Sequence, residues 1–175
     1  MEHLRTMRRS AGRVLCGALI CVATACGGNT GSGDERSSGS VYVAALRHLD
    51  VPGPDDTGDR TIVYVADMNS EPLDLDEQVS VIGDLEADVD LRFIDDIAAA
   101  ARFDDDGTLG APDDGWLVAV GTPVDHDDVV TVRVEAAEPG DKPSAWQLRL
   151  RVTGDVSVVA ASDLEPEFLV PPVAP

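Results

Sequence analysis

A single lysine, Lys142, stands among 12 arginines and 33 acidic residues, and the chain has only 3 histidines, 3 cysteines and 4% aromatic content. Recognition of nucleic-acid phosphates needs clustered Lys and Arg, so a polyanion of net charge −20 excludes nucleic-acid partners. No C-x-x-C or H-E-x-x-H spacing occurs, which removes the usual structural zinc sites, the zincin site and haem or iron–sulfur ligation by paired cysteines. The G-x-S-x-G elbow of serine hydrolases is missing, as are the glycine loops G-x-G-x-x-G and G-x-x-x-x-G-K-S/T that cradle phosphates. No catalytic, cofactor-binding or metal-ligating residue is assigned on this basis. At 175 residues with 43% apolar content, the composition is that of one soluble domain.

What is present begins at the N-terminus. Arg5, Arg8, Arg9 and Arg13 form a basic start, and an uncharged run follows from Val14 to Ala25. Its twelve residues would rise about 18 Å as a helix, short of the roughly 30 Å hydrocarbon layer, so the segment reads as a signal peptide and not as a span. Val22-Ala23-Thr24-Ala25-Cys26-Gly27-Gly28 resembles a bacterial lipobox, with Ala23 where Leu is commoner. The resemblance implies that Cys26 is lipidated, that cleavage falls just before it, and that the chain is anchored to the extracytoplasmic face of the cell membrane. The competing reading is an ordinary secretory signal cut after Ala25, leaving Cys26 a bare thiol. Arg8-Arg9 evokes twin-arginine export, but Ala11 and Gly12 stand where a bulky apolar pair belongs.

Cleavage before Cys26 deletes Cys16 and Cys21, so the mature chain can form no intramolecular disulfide and must be held by its core. It would carry 9 basic and 32 acidic residues, a net charge of −23. Solubility accounts for that charge without a dedicated ligand, and a cationic or envelope protein partner is compatible with it.

Four segments are expected: a signal peptide over 1–25, the lipidated Cys26 with a Gly/Ser tether over 26–40, a domain over 41–163, and an extended Pro-rich tail over 164–175. Ser40 is placed as the cap of a helix from Val41 that stops at Pro52-Gly53. Thr61–Ala66 reads as a strand buried on both faces. Asp74 with Glu77 forms a capping box for a second helix, whose inward stripe is expected to be Leu75, Val79, Ile82 and Leu85. Val89, Leu91 and Phe93 alternate with Asp90 and Arg92, completing a β-α-β crossover with parallel strands. Asp95 or Asp96 caps a short helix through Ile97–Arg102.

The last third switches to a period of two. Trp116, Val118 and Val120 are followed by Val130, Val132 and Val134, by Trp146, Leu148, Leu150 and Val152, and by Val156, Val158 and Ala160. This predicts an antiparallel meander with one face on a core, Arg149 and Arg151 pairing across strands with Glu135. Phe168, Leu169 and Val170 are the tail residues able to pack back. The fold class is therefore α+β: an N-terminal helix, one β-α-β crossover and a C-terminal antiparallel meander.

Tyr42-x-Ala44-x-x-Arg47-x-Leu49, Val63-Tyr64-Val65-x-Asp67 and the Trp146-to-Asp155 hairpin resemble a family of small uncharacterised bacterial exported proteins. That resemblance implies a fold-level grouping and no catalytic residue.

Three acidic loops, Asp55–Asp59, Asp104–Asp106 and Asp125–Asp128, invite a calcium reading. With Gly107 at the sixth position of a calcium loop, however, Arg102 would occupy the first ligand position and Asp113, not Glu, the twelfth. His126 between carboxylates and His48 on the outer side of the first helix lack convergent partners, and Ser80 lies on a helix surface. Trp116 and Trp146 fall on the apolar side of their strands and read as core, with an aromatic ligand platform as the alternative. The functional expectation is a lipid-anchored, non-catalytic binding or interaction module at the cell envelope, touching the membrane through the lipid on Cys26. A calcium-binding protein and a carboxylate-based hydrolase are the two alternatives.

Overall fold

Residues 37–69, 72–106, 108–153 and 155–170 are described by the computed structural model. The signal segment, Cys26, the tether to residue 36, Gly107 and the last prolines lie outside them. No helix among the described residues is long and apolar enough to cross a membrane.

The β-branched run at Thr61–Asp67 becomes strand β1, and helix α2 (Leu75–Leu85) leads from it to β2 (Val89–Phe93), which pairs parallel to β1 from Thr61↔Val89 to Val65↔Phe93. The chain then crosses to the other side of β1 through helix α3 (Ile97–Ala100), the two-residue strands β3 (Arg102–Phe103) and β4 (Leu109–Gly110), and a 3₁₀ turn at Pro112–Asp114. Strand β5 (Trp116–Val120) follows and is also parallel to β1. Strands β6 (Val124–His126), β7 (Val129–Ala137), β8 (Ser144–Arg151) and β9 (Ser157–Leu164) complete one mixed sheet of order β2-β1-β5-β7-β8-β9. β6 pairs with β7 beyond the end of β5. The expected crossover and meander are thus one sheet, joined at β5, which is parallel to β1 and antiparallel to β7.

Helix α1 (Ser38–His48) starts earlier than the sequence suggests. Ser37 is the N-cap residue, while Ser40 lies inside the first turn and donates its hydroxyl to the Ser37 carbonyl at 2.8 Å. The reason is Gly39, whose missing Cβ would sit 3.2 Å from Val81 Cγ2, so a glycine of the apparent tether is the contact that lets α1 close on α2. Past the other end of α1, Asp50 takes a left-handed φ of 53° before Pro52.

On α2, Asp74 caps as expected, accepting the Glu77 N–H at 2.8 Å, while the Glu77 carboxylate accepts the Ser37 hydroxyl at 3.2 Å. Of the expected inward stripe Leu85 is buried and Ile82 packs against the core, but Leu75 is 73% and Val79 61% exposed, and Val81 is buried in their place. Two apolar rows at i, i+4 spacing overlap on this helix, and only the row facing α1 and the sheet is covered. Helix α3 is capped by the Asp96 side chain and ends at Ala100, two residues short of the expected Arg102.

The meander was expected to have one buried face, but the sheet has two cores. Val63, Val65, Trp116, Val118, the Val130–Val134 row, Leu148 and Leu150 pack under α1 and α2. On the opposite face Tyr64, Leu117, Ala119 and Ala137 are covered by Ala100, Leu109 and Leu169. Burial of these side chains contributes about 25 cal/mol per Å² of apolar surface, without a disulfide among the described residues. Edge strand β9 has no charged residue from Ser157 to Ser162 and is mostly exposed. A register shift opposite Arg149/Leu150 upsets its alternation, so Val158 is half-buried but Ala160, expected inward, is exposed.

Candidate functional site

Both tryptophans of the protein border one cleft, of about 620 Å³, at the end of the sheet beyond α1. Period two along β5, β7 and β8 puts Trp116, Ala136 and Trp146 on the same face. The β7 row on that face runs Val130, Val132, Val134 and then Ala136, and the smaller last residue deepens the floor between the strands that carry the two indoles. Leu49, just past α1, closes one side. Thr108 and the β7–β8 turn, with Glu138, Asp141 and Lys142, close the other. Trp116 is 8% exposed and belongs to the core as expected; Trp146 is half-buried.

The rim of this cleft is held by backbone. Leu109 N–H donates to the Asp141 carbonyl at 3.0 Å and Gly140 N–H to the Leu109 carbonyl at 3.2 Å, so β4 fixes the turn that bears Lys142. Gly140 adopts φ 80°, which that turn requires and which a side chain would resist.

A second place is singled out by topology. The chain leaves β1 toward β2 on one side and returns to β5 on the other, and such a switch point commonly hosts ligands at the carboxyl ends of parallel strands. Here those ends are closed by their own side chains. Tyr42 Oη donates to Asp67 Oδ2 at 2.9 Å, Asn69 N–H donates to Asp67 Oδ1 at 2.7 Å, and Asn69 Nδ2 donates to Thr122 Oγ1 at 2.7 Å. Burial and the neighbouring Asp67 and Glu77 carboxylates push the Tyr42 hydroxyl well above the ordinary tyrosine range, so it stays a proton donor. The network clips α1 to β1.

The acidic loops use their carboxylates locally. Asp55 Oδ1 accepts the Thr57 N–H at 2.8 Å and the Asp59 N–H at 3.0 Å, with the Thr57 hydroxyl 2.6 Å away. These bonds, the Thr57 hydroxyl foremost, hold Asp55 below the ordinary aspartate range. Asp106 is lowered likewise by the Thr108 hydroxyl and N–H. Asp127 turns the β6–β7 hairpin at φ 55°, and His126, at the end of β6, is exposed with it. No group of three or more His, Cys, Asp or Glu among the described residues is arranged to hold a metal ion. His48 borders a groove between α1 and β9 with Arg47 and Asp155, and Ser80 is exposed on α2.

Glu135 is the residue that sequence reasoning placed worst. Expected on the solvent face opposite Arg149 and Arg151, it is fully buried and stands opposite Ala119 and Ala145, while Arg149 faces Thr131 and Arg151 faces Val129. Its carboxylate accepts the backbone N–H groups of Glu167, Phe168 and Leu169 at 2.9, 2.9 and 2.8 Å and pairs with Arg133 at 2.8 Å. Burial alone would raise its pKa, but the N–H donors of Leu169, Glu167 and Phe168 together with Arg133 outweigh it and hold the group below the ordinary glutamate range. The tail, expected to be extended with Phe168, Leu169 and Val170 able to pack back, lies as a strap over the second core as far as residue 170, with Leu169 buried, Phe168 half-buried and Val170 exposed, and Arg133 also donating to the Glu165 carbonyl at 2.6 Å. The signal in the sequence was the apolar triplet Phe168-Leu169-Val170, which needs a surface to cover.

Compared with known proteins, the chain matches no family model, no curated protein and no solved structure.

Proposed function

We propose that the protein is a lipid-anchored, non-catalytic binding module on the extracytoplasmic face of a bacterial cell membrane, held through Cys26 and taking its ligand in the cleft between Trp116 and Trp146. The cleft carries this reading. Its volume lies within the roughly 300–1,000 Å³ of small-molecule sites, it has aromatic and polar walls, and its rim is fixed by backbone hydrogen bonds. The two groups with the strongest environments, Tyr42 and Glu135, are both committed to bonds that hold the fold.

Intact-mass measurement of the membrane-extracted protein beside a Cys26→Ala variant tests the anchor. A mass for residues 26–175 plus acyl chains, lost together with membrane association in the variant, is the expected result; an unmodified mature chain in the medium overturns it.

A further inference from the structure

We infer that the Trp116–Trp146 cleft binds a saccharide, an assignment that rests on the binding-module reading above and gives its ligand a chemical class. The wall chemistry sets the requirement. Glu138 and Asp141 offer only acceptors, Lys142 offers only donors, Ser144 offers both, and Thr108, whose hydroxyl donates to Asp106, offers an acceptor. An anion would meet two carboxylates, a simple cation would meet Lys142 on the same turn, and a plain hydrocarbon would strip water from the whole rim with no hydrogen bond in return. A sugar ring satisfies every member. Its hydroxyls donate to the carboxylates and accept from the ammonium in charge-assisted bonds, and its C–H face lies against an indole, whose body is apolar and whose edge is polar.

The construction of the cleft favours this ligand further. Ala136, in place of the valines that precede it on β7, leaves room for a flat ring above the sheet. The turn with Glu138, Asp141 and Lys142 is fixed by the two Leu109 backbone bonds, so the backbone that carries these polar groups is in place before binding. Trp146 is half-buried, leaving indole surface free, while Trp116 is packed and rigid.

Because these are the protein's two tryptophans, intrinsic emission reports on this cleft alone. The full chain is titrated with chitotetraose, cellotetraose and maltotetraose, and in parallel with tetraethylammonium and a neutral dipeptide, each to about 10 mM, where even millimolar affinities saturate. A saturable emission shift with at least one glycan is expected, weakened about tenfold in Asp141→Asn, the size of one lost charge-assisted hydrogen bond. Trp146→Ala, which removes one of the two emitters and is therefore titrated by calorimetry after its folding is checked by circular dichroism, should bind no glycan. No saturable response to any glycan overturns the saccharide assignment. A response to tetraethylammonium or the dipeptide alone overturns it while keeping the cleft as a binding site, and silence to every probe overturns both.

Discussion

Replacing Glu135 with alanine removes the acceptor for three successive backbone N–H groups at once. Leu169 is buried, so its N–H loses its partner without gaining water and costs about 1–3 kcal/mol; Glu167 and Phe168 are more accessible and cost less. Arg133, 26% exposed at its side chain, can turn toward solvent and adds little. Loss of the strap also uncovers the apolar face that Leu169 closes over Leu117 and Ala137. The total is about 3–5 kcal/mol, a large fraction of the 5–15 kcal/mol that domains usually possess. Urea unfolding measures it, and faster amide exchange at residues 167–169 localises it. Glu135→Gln keeps one carbonyl acceptor but turns an NH₂ group toward the donors, so it should fall in between. Acid has the same target. The native pKa of Glu135 lies below the ordinary value, so its contribution is complete above the ordinary glutamate range and is lost as pH falls through the depressed native pKa. The wild type should therefore lose stability relative to Glu135→Gln on acidification. A Glu135→Ala cost within about 0.5 kcal/mol of that for the exposed Glu138→Ala, with no difference in acid response, would refute the latch.

Tyr42→Phe deletes the 2.9 Å bond to Asp67 and should cost about 1–2 kcal/mol in chemical denaturation; no loss would show that α1 is held by packing alone. Gly115→Ala brings a Cβ to 2.8 Å from the Tyr64 ring and 3.1 Å from the Ile62 carbonyl, which should lower stability by about 1–3 kcal/mol. Gly83→Ala, in an open position on α2, should raise it by about 0.5–1 kcal/mol, and the reverse order of the two in thermal melts would contradict the packing described.

The elements legible in the sequence were those whose local pattern and tertiary environment agree. β1 and β2 carry continuous or alternating apolar residues, the Asp74 cap has its Glu77 three residues on, and β7 alternates from Val129 to Val134 as β8 does from Leu148 to Arg151. What failed did so where a distant segment decides. Gly39 reads as tether by composition and becomes a helix contact only because Val81 lies against it. Glu135 reads as solvent-facing by period two and is buried because the tail, more than thirty residues on, lays its N–H groups on it. Leu75 and Val79 fit a helical stripe as well as Val81 does, and nothing local says which row the sheet will cover. Trp116 and Trp146 were read as core from their side of the strand; the cleft between them depends on Ala136 and on a turn pinned by β4, neither visible as a motif.

The place of β5 sets an order of assembly. Strands β7, β8 and β9 meet through short connections, whereas β5 reaches its parallel place beside β1 only after the excursion through α2, β2, α3, β3 and β4, which brings Trp116 beside Val63. Local pairings close at small entropic cost and distant ones at greater cost, so the hairpins of the last third can form on their own while the parallel half waits for its seam. β1, apolar on both faces, therefore waits for cover on both sides while the hairpins of the last third are already paired.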